Sequence, residues 1–191
     1  MRQRVDPTDF VLAYRERSVE VLSAVPADAV SGLIEILAEA LKDGRHVFIC
    51  GNGGSAATAS HFAAGLGKDS SAGRERKFRV LSLTDNVPWI TSLANDHHYS
   101  EVFAEQLKNF AQPGDVLIAF SGSGNSANII RAIEWANDNG LLTVGISGRA
   151  GGKLGELARH AILIDSAHMG HIEEAHFLIQ HLVSYYFEEA E

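Results

Sequence analysis

Apolar and polar positions follow two different patterns along this chain. From about residue 46 onward, short and almost wholly apolar runs recur, each bounded by glycine, serine, asparagine or charged residues. Such runs are typical of strands buried on both faces of a sheet. The longer segments between them show the three- to four-residue spacing of amphipathic helices. The predicted strands are 46–50, 78–83, 115–120, 142–147 and 161–165, and the predicted helices are 55–66, 86–95, 100–110, 126–138, 153–158 and 171–189.

The first forty-odd residues are predicted to form two helices that precede the sheet. Apolar residues from Phe10 to Val25 fall at roughly helical spacing, and Pro26 ends this stripe. Asp28 is a capping candidate for a second amphipathic helix, which runs to Gly44. The apolar faces of both helices must be covered, either by the sheet domain or by another subunit.

Strands that alternate with helices predict an α/β fold with a doubly wound, five-stranded parallel sheet. We expect residues 1–191 to form one domain, with residues 1–44 as a helical extension that packs on it or on a partner subunit. The length of 191 residues and the apolar fraction of 46% are ordinary for one globular core. The apolar runs are far shorter than the ~20 residues of a membrane span, and the first residues lack an apolar signal-peptide core.

The charge and the cysteine content of the chain argue against several classes of function. Lys and Arg number 16 against 24 Asp and Glu, a formal charge of −8, which does not favour the basic stripe that nucleic-acid binding requires. Cys50 is the only cysteine, which excludes an internal disulfide and Cys/His zinc-finger spacing. We therefore expect a soluble cytoplasmic protein that binds no membrane and no nucleic acid directly.

Two loops rich in glycine and serine follow the first and third predicted strands, at 51–56 and 122–127. Ligands of an open parallel sheet bind beyond the carboxyl ends of the strands, so both loops should face one crevice. Both loops formally fit the dinucleotide fingerprint, but no acidic residue stands at the end of the next strand at the expected distance. A Gly-Lys-Ser/Thr P-loop is also missing, and we expect no nucleotide cofactor.

The second loop has the composition of a phosphate site. Ser121, Ser123 and Ser126 supply three hydroxyl groups, while Gly122 allows close approach of the backbone. The helix that begins near Asn125 directs its N–H groups and the positive end of its dipole to the same place. Serine and asparagine are also ordinary helix caps, so a plain strand–helix turn is the alternative. The serines and glycines exceed what capping requires, and the predicted ligand is a phosphate monoester.

Several segments, in order along the chain, resemble the sugar isomerase (SIS) domain family. They are GNGGSAATASHFA, SLANDHHYSEVFAEQL, SGSGNSANIIRAIEWA, GISGRAGGKLGELA and IEEAHFLIQHLVSYY, and with the two leading helices they span nearly the whole chain. They look most like the phosphoheptose isomerases of that family, which interconvert sedoheptulose 7-phosphate and D-glycero-D-manno-heptose 7-phosphate. The resemblance implies a flavodoxin-like fold, aldose–ketose isomerisation through an enediol, and a homo-oligomer expected to be a tetramer.

The resemblance also implies which positions hold the sugar phosphate. In the first loop an Asn-Gly-Gly motif contacts the substrate, and an Asn-Asp pair further along does the same. In the second loop these enzymes commonly carry Thr where this chain has Gly122, so one hydroxyl group is lost. The matching positions are Asn52, Gly53 and Gly54 with the adjoining Ser55, then Asn95 and Asp96, and finally Ser121, Gly122, Ser123 and Ser126.

A divalent-metal site is implied too, and here the chain departs from the family pattern. The isomerases carry a ligand His, matched by His61, and a Glu four residues later, where this chain has Gly65. On the closing helix they carry a Gln and, eight residues on, a His; those positions are Glu173 and His181. Because one carboxylate is lost and another gained, His61, Glu173 and His181 remain a ligand set for zinc or another divalent ion. We predict that Glu173 acts as ligand or base, and His181 as ligand or acid.

Two interpretations of the sequence stay open. The first is a phosphosugar aldose–ketose isomerase. The second is a non-catalytic module that binds a phosphosugar, or a relative of the bacterial replication initiator-associating proteins, which share this domain and a similar helix without the Glu. Under the second interpretation, the chain would also bind a protein partner. His61 and His181 also neighbour apolar residues, so packed or interface histidines are the alternative to metal ligands.

Overall fold

The five apolar runs form one parallel sheet in the computed structural model, which describes residues 5–148 and 150–189. The strand order is β2-β1-β3-β4-β5, and every neighbouring pair is parallel. The predicted doubly wound five-stranded sheet is therefore confirmed, with the carboxyl ends of all strands at one edge. The strands are β1 (His46–Cys50), β2 (Arg79–Ser82), β3 (Val116–Ser121), β4 (Leu142–Gly148) and β5 (His160–Ile164).

Helices cover both faces of this sheet. One apolar core lies between the sheet and α2, α3 and α8, and the other between the sheet and α5, α6 and α7. The inner strand β3 is buried along its whole length because it contributes to both cores. The helices are α1 (Pro7–Ser23), α2 (Ala27–Asp43), α3 (Gly54–Ala64), α4 (Val87–Asp96), α5 (Ala104–Phe110), α6 (Ala127–Asp138), α7 (Gly152–Leu157) and α8 (Met169–Glu189).

Three local expectations require correction. The helix predicted over 55–66 ends at Ala64 and continues as a π-helical turn over Gly65–Asp69. The helix predicted over 100–110 is a short 3₁₀ turn followed by α5, because Val102 and Phe103 turn inward to the core between them. Asp28 lies in the first turn of α2, where Pro26 holds the cap position.

The first helix is attached to the domain mainly through α8. It has no buried residue, and Phe10, Val11 and Val19 each expose more than half of their surface. Tyr14 anchors it: its hydroxyl donates a hydrogen bond of 2.8 Å to Glu174 on α8, and its ring packs 4.4 Å from the ring of His171. Across the described ranges, no single helix combines the length and apolarity needed to cross a membrane; only α1 and α2 taken together do so, with a bend of 59° between them.

Helices α3 and α8 pack side by side and run in the same direction. Gly54 lies against Glu173, His61 against His181, and Gly65 against Ser184. The sequence separation of these three pairs is almost constant, as parallel packing requires. This seam begins at the carboxyl edge of the sheet, and it brings together side chains that are far apart in the sequence.

Candidate active site

A crevice of about 300 Å³ opens at the carboxyl edge of the sheet, between the loop after β1 and the loop after β3. Parallel strands leave their connecting loops at this edge, which is why two loops far apart in sequence meet there. Most of the predicted ligand-binding residues share the crevice, and they are joined by two residues that the sequence did not suggest, Phe120 and Met169. The predicted residues that line it are Asn52, Gly53, Gly54, Ser55, Ser121, Gly122, Ser123, Ser126 and Glu173.

The loop after β3, which carries Ser121, Ser123 and Ser126 and is called the serine loop below, forms one wall of the crevice. Ser126 is the N-cap residue of α6, but its hydroxyl makes no capping hydrogen bond; it lies 3.4 Å from the Ser121 hydroxyl. The Ser121 hydroxyl also accepts a hydrogen bond of 3.2 Å from the Gly124 N–H, and Ser123 accepts one from the Asn125 N–H. The loop thus presents hydroxyl groups beside the positive end of the α6 dipole, which is a suitable environment for an anion.

An asparagine pair connects the two loops. The amide of Asn52 donates to Asn128 at 2.9 Å, and the amide of Asn128 donates back to Asn52 at 2.8 Å. Asn128 is 2% exposed, and its carbonyl oxygen also accepts from the Ile129 N–H. The Tyr99 hydroxyl donates to Asn52 at 2.9 Å. Sequence reasoning missed Asn128; the one signal was an asparagine beside the apolar stripe of the helix predicted over 126–138.

Glu173 forms the opposite wall and lies at the N-terminus of α3. A Cβ atom added at Gly54 would be 2.5 Å from its Oε1 and 2.9 Å from its Oε2, so the carboxylate packs directly on the glycine backbone. A helix N-terminus stabilises a nearby negative charge through its dipole and free N–H groups. Among the described residues that line the crevice, Glu173 carries the only carboxylate, which makes it the candidate base there.

His61 and His181 meet further along the seam, with their Nε2 atoms 3.2 Å apart. Two imidazole nitrogens bound to one tetrahedral zinc at 2.0–2.1 Å would be separated by about 3.3 Å, so the pair fits two positions of such a site. Burial and the neighbouring His61 both lower the pKa of His181. Its imidazole is therefore neutral at neutral pH, which is the form that binds a metal ion.

The predicted third ligand, Glu173, does not join this imidazole pair. Eight residues of α8 correspond to about 12 Å along the helix axis, and the Glu173 carboxylate is at Gly54 instead. Within 5–148 and 150–189, no three His, Cys, Asp or Glu side chains are grouped to hold a metal ion. One chain thus supplies two ligands of the predicted set at one place, and a metal ion there would need further ligands from elsewhere.

A side chain at the position of the missing glutamate would displace the Ser184 hydroxyl. A Cβ atom at Gly65 would lie 2.8 Å from the hydroxyl oxygen of Ser184, which is itself buried.

The predicted substrate contacts Asn95 and Asp96 do not line the crevice of their own chain. They end α4, are exposed, and bond to each other at 2.8 Å.

Exposed aromatic side chains surround the imidazole pair. The Phe177 ring lies 4.9 Å from the ring of His61 and 4.7 Å from that of His181, and Tyr185 is 5.9 Å from His181. Phe177 and Tyr185 are 41% and 50% exposed. The imidazoles therefore belong to an aromatic surface of α8 that the described chain leaves uncovered.

Comparison with known proteins gives consistent matches. Residues 13–148 match the SIS domain family. A phosphoheptose isomerase from Crocosphaera subtropica is 41% identical over 159 residues, 81% of this chain and 79% of that protein. One from Aliarcobacter butzleri is 38% identical over 174 residues, 90% of each. The structure of a phosphoheptose isomerase from Francisella tularensis superposes with a TM-score of 0.89 at 26% identity, covering 97% of this chain and all of that one.

Proposed function

The chain belongs to the SIS domain family, and we propose that it is a phosphosugar aldose–ketose isomerase acting on sedoheptulose 7-phosphate to give D-glycero-D-manno-heptose 7-phosphate. The observation that carries this proposal is the crevice itself, in which a hydroxyl-rich loop at a helix N-terminus faces the Glu173 carboxylate. Phosphoheptose isomerases that align with most of this chain support the choice of substrate.

The serine loop would hold the phosphate. Ser121 and Ser126 offer hydroxyl donors, and the first turn of α6 offers backbone N–H groups with its dipole. The described side chains that line this crevice as hydrogen-bond donors are neutral. The asparagine pair fixes the spacing between this loop and the loop that carries Gly53 and Gly54.

Isomerisation moves one proton between adjacent carbons. The base removes a proton from C1 of the ketose, the C1–C2 double bond of the enediol forms, and the C2 oxygen takes up a proton from an acid. The C1 hydroxyl then loses its proton as the C1 carbonyl forms, and proton delivery to C2 completes the aldose. We assign the carbon proton to Glu173 because it carries the crevice carboxylate.

The predicted acid role of His181 would require its imidazole to lie beside Glu173, because the base and the acid act at the adjacent carbons C1 and C2. Within one chain the two residues are about 12 Å apart along α8. We therefore assign His181 to the metal ion, and a group beside C2 would supply the proton to the substrate oxygen.

Zinc or another divalent ion is the proposed cofactor. His61 and His181 would hold it, and the substrate oxygens or a neighbouring subunit would supply the remaining ligands. When bound, such an ion polarises a carbonyl oxygen as a Lewis acid. The spacing of the two Nε2 atoms supports this assignment, and the lowered pKa of His181 keeps a lone pair available.

We further propose a homo-oligomer, with a tetramer as the expected form, in the cytoplasm. The uncovered aromatic surface at Phe177 and Tyr185 and the exposed apolar side chains of α1 favour association of copies of this chain. A second copy at α8 would bring further ligands to the imidazole pair. It would also give a role to Asn95 and Asp96, which lie outside the crevice of their own chain. Light scattering of the purified protein measures the mass directly.

One observation favours a second candidate, a binding module without turnover. The structure has no carboxylate at Gly65, and the Ser184 hydroxyl takes the space where one would begin. In that case the same crevice would bind a phosphosugar and signal through a protein partner.

Proton exchange distinguishes the two candidates. The purified protein is incubated with sedoheptulose 7-phosphate in deuterated water, with and without zinc, while deuterium at C1 and aldose formation are followed. Deuterium uptake or aldose supports the isomerase. Thermal stabilisation by the same sugar phosphate with no exchange in either condition rejects it in favour of the binding module.

A further inference from the structure

Met169, the first residue of α8, lies directly over Gly122 of the serine loop. A Cβ atom added at Gly122 would overlap its Sδ atom and lie 3.0 Å from its Cε. The Met169 side chain is 50% exposed and lines the crevice. It therefore occupies the place that a side chain at Gly122 would otherwise fill.

The backbone that carries Met169 is held firmly. One turn later Ile172 packs on Gly148 so closely that a Cβ atom there would overlap its Cδ1. The Ile172 N–H donates to the His168 carbonyl at 3.1 Å, and the Gly148 N–H donates to the Gly122 carbonyl at 3.2 Å. The start of α8 is thus held against the serine loop, and Met169 keeps its position relative to Gly122.

Met169 also differs chemically from the rest of the crevice. The other lining residues are glycines and polar side chains, apart from Phe120, whose exposed fraction is 0%. Accessible apolar surface in the crevice is therefore concentrated on the Met169 thioether. Such a side chain is flexible and polarisable, and it adapts well to an irregular apolar contact.

We propose that Met169 is a specificity-determining residue, whose thioether packs on the C–H face of the sugar carbons next to the phosphate. This inference rests on the proposed phosphosugar ligand. The serine loop recognises the phosphate group, which inorganic phosphate shares. The contact with Met169 increases the affinity for a ligand that carries a carbon chain, so the crevice binds phosphate esters of sugars more tightly than free phosphate.

The test is a comparison of Met169→Gln, Met169→Leu and the unmodified protein. Gln has nearly the same size but is polar, whereas Leu remains apolar. Isothermal titration measures the affinity of each protein for inorganic phosphate and for sedoheptulose 7-phosphate. We expect Met169→Gln to weaken sugar phosphate binding by roughly fivefold, the scale of losing one to two buried methylene contacts. Phosphate affinity should remain within about twofold, and Met169→Leu should retain both affinities.

The proposal is overturned if Met169→Gln weakens both ligands equally or neither of them. Absence of phosphate and sugar phosphate binding by the unmodified protein would reject the crevice as a phosphosugar site, and this inference with it. Selective weakening in Met169→Gln supports the inference even if the protein catalyses no isomerisation. The failure of the proposed reaction and the failure of the specificity contact are therefore distinguishable.

Discussion

Asn52 and Asn128 exchange a pair of amide hydrogen bonds across 76 residues of sequence and thereby fix the width of the crevice. Asn52 belongs to the loop after β1, and Asn128 to the first turn of α6. Each amide uses both its donor and its acceptor in this exchange. The hydroxyls of the serine loop and Gly54, on which the Glu173 carboxylate of α8 packs, are consequently held at a fixed separation.

Replacing Asn128 with Leu should therefore affect both stability and binding. The substitution removes both amide hydrogen bonds and the one from the Ile129 N–H. It leaves the Asn52 N–H donor without its acceptor, while the Asn52 oxygen keeps the Tyr99 hydroxyl. We expect the free energy of unfolding to fall by about 1–3 kcal/mol, together with weaker phosphate binding. Urea unfolding and phosphate titration measure the two effects. Asn109→Leu is the matched control, because that amide is exposed and bonds to the Glu105 carbonyl of its own helix.

Substitution of Glu173 tests the proposed base. Glu173→Gln keeps the size of the side chain but cannot accept the carbon proton, so turnover should fall by roughly 10²–10⁴-fold. The adjacent Glu174→Gln is the control, because the Glu174 carboxylate lies outside the crevice and accepts a hydrogen bond from the Tyr14 hydroxyl. Deuterium exchange into sedoheptulose 7-phosphate provides the measurement. Unchanged exchange in Glu173→Gln would remove Glu173 from the mechanism.

Much of the fold could be predicted because the signals are local. Strands buried on both faces must be apolar along their length, so five such runs marked the sheet, and Pro26 marked the break between α1 and α2. The serine loop was also visible, since its hydroxyls and glycines are contiguous in the sequence. Both features follow from the composition of short segments alone.

The remaining features depend on distances between elements that are remote in sequence. Asn128 and Met169 acquire their roles from partners 76 and 47 residues away, which no local spacing reveals. The separation of Glu173 from His181 follows from helix geometry, but the position of the Glu173 carboxylate depends on how α8 packs on Gly54. Asn95 and Asp96 lie outside the crevice of their own chain, and no local spacing predicts that position.

Protonation of His176 should make stability depend on pH. Burial lowers the pKa of this imidazole from 6.5 to about 4. Its side chain is 0% exposed, and neither ring nitrogen has a hydrogen-bond partner among the described residues. The unfolded chain therefore binds a proton between these two pH values that the folded chain does not. The free energy of unfolding therefore has its full contribution from neutral His176 above pH 6.5. This contribution, roughly 3 kcal/mol in total, is lost as the pH falls toward and below 4.

The variant His176→Leu isolates this contribution. Its free energy of unfolding should fall less between pH 6.5 and 4 than that of the unmodified protein, as measured by urea unfolding at each pH. The variant His97→Gln changes an exposed imidazole and should retain the original pH dependence. Parallel pH profiles for His176→Leu and the unmodified protein would contradict the assigned burial.

Zinc binding can be tested without any activity measurement. His181→Ala removes one of the two nitrogens that face each other, so zinc affinity should fall by at least roughly tenfold. Competition with a chromogenic chelator measures this affinity. The control is His46→Gln at the start of β1, at the opposite edge of the sheet from the crevice. Equal zinc affinity in His181→Ala and the unmodified protein would place any bound metal elsewhere.

Gly54 offers a test of where the Glu173 carboxylate must lie. In Gly54→Ala the new methyl group would come within 2.5 Å of Glu173 Oε1 and push the carboxylate away from the α3 N-terminus. The displaced atoms end a flexible side chain, so the free energy of unfolding should change by less than about 1 kcal/mol. Exchange activity should nevertheless fall about as far as in Glu173→Gln.

The double variant Gly54→Ala/Glu173→Asp completes this argument. The shorter aspartate leaves room for the methyl group, so part of the lost exchange activity should return. Glu173→Asp alone is the matched reference, because it shortens the side chain without adding the methyl. Recovery relative to Gly54→Ala indicates that the glycine serves the position of the carboxylate. If Gly54→Ala retains full exchange, the carboxylate acts from a different position and the crevice geometry assigned to Glu173 is wrong.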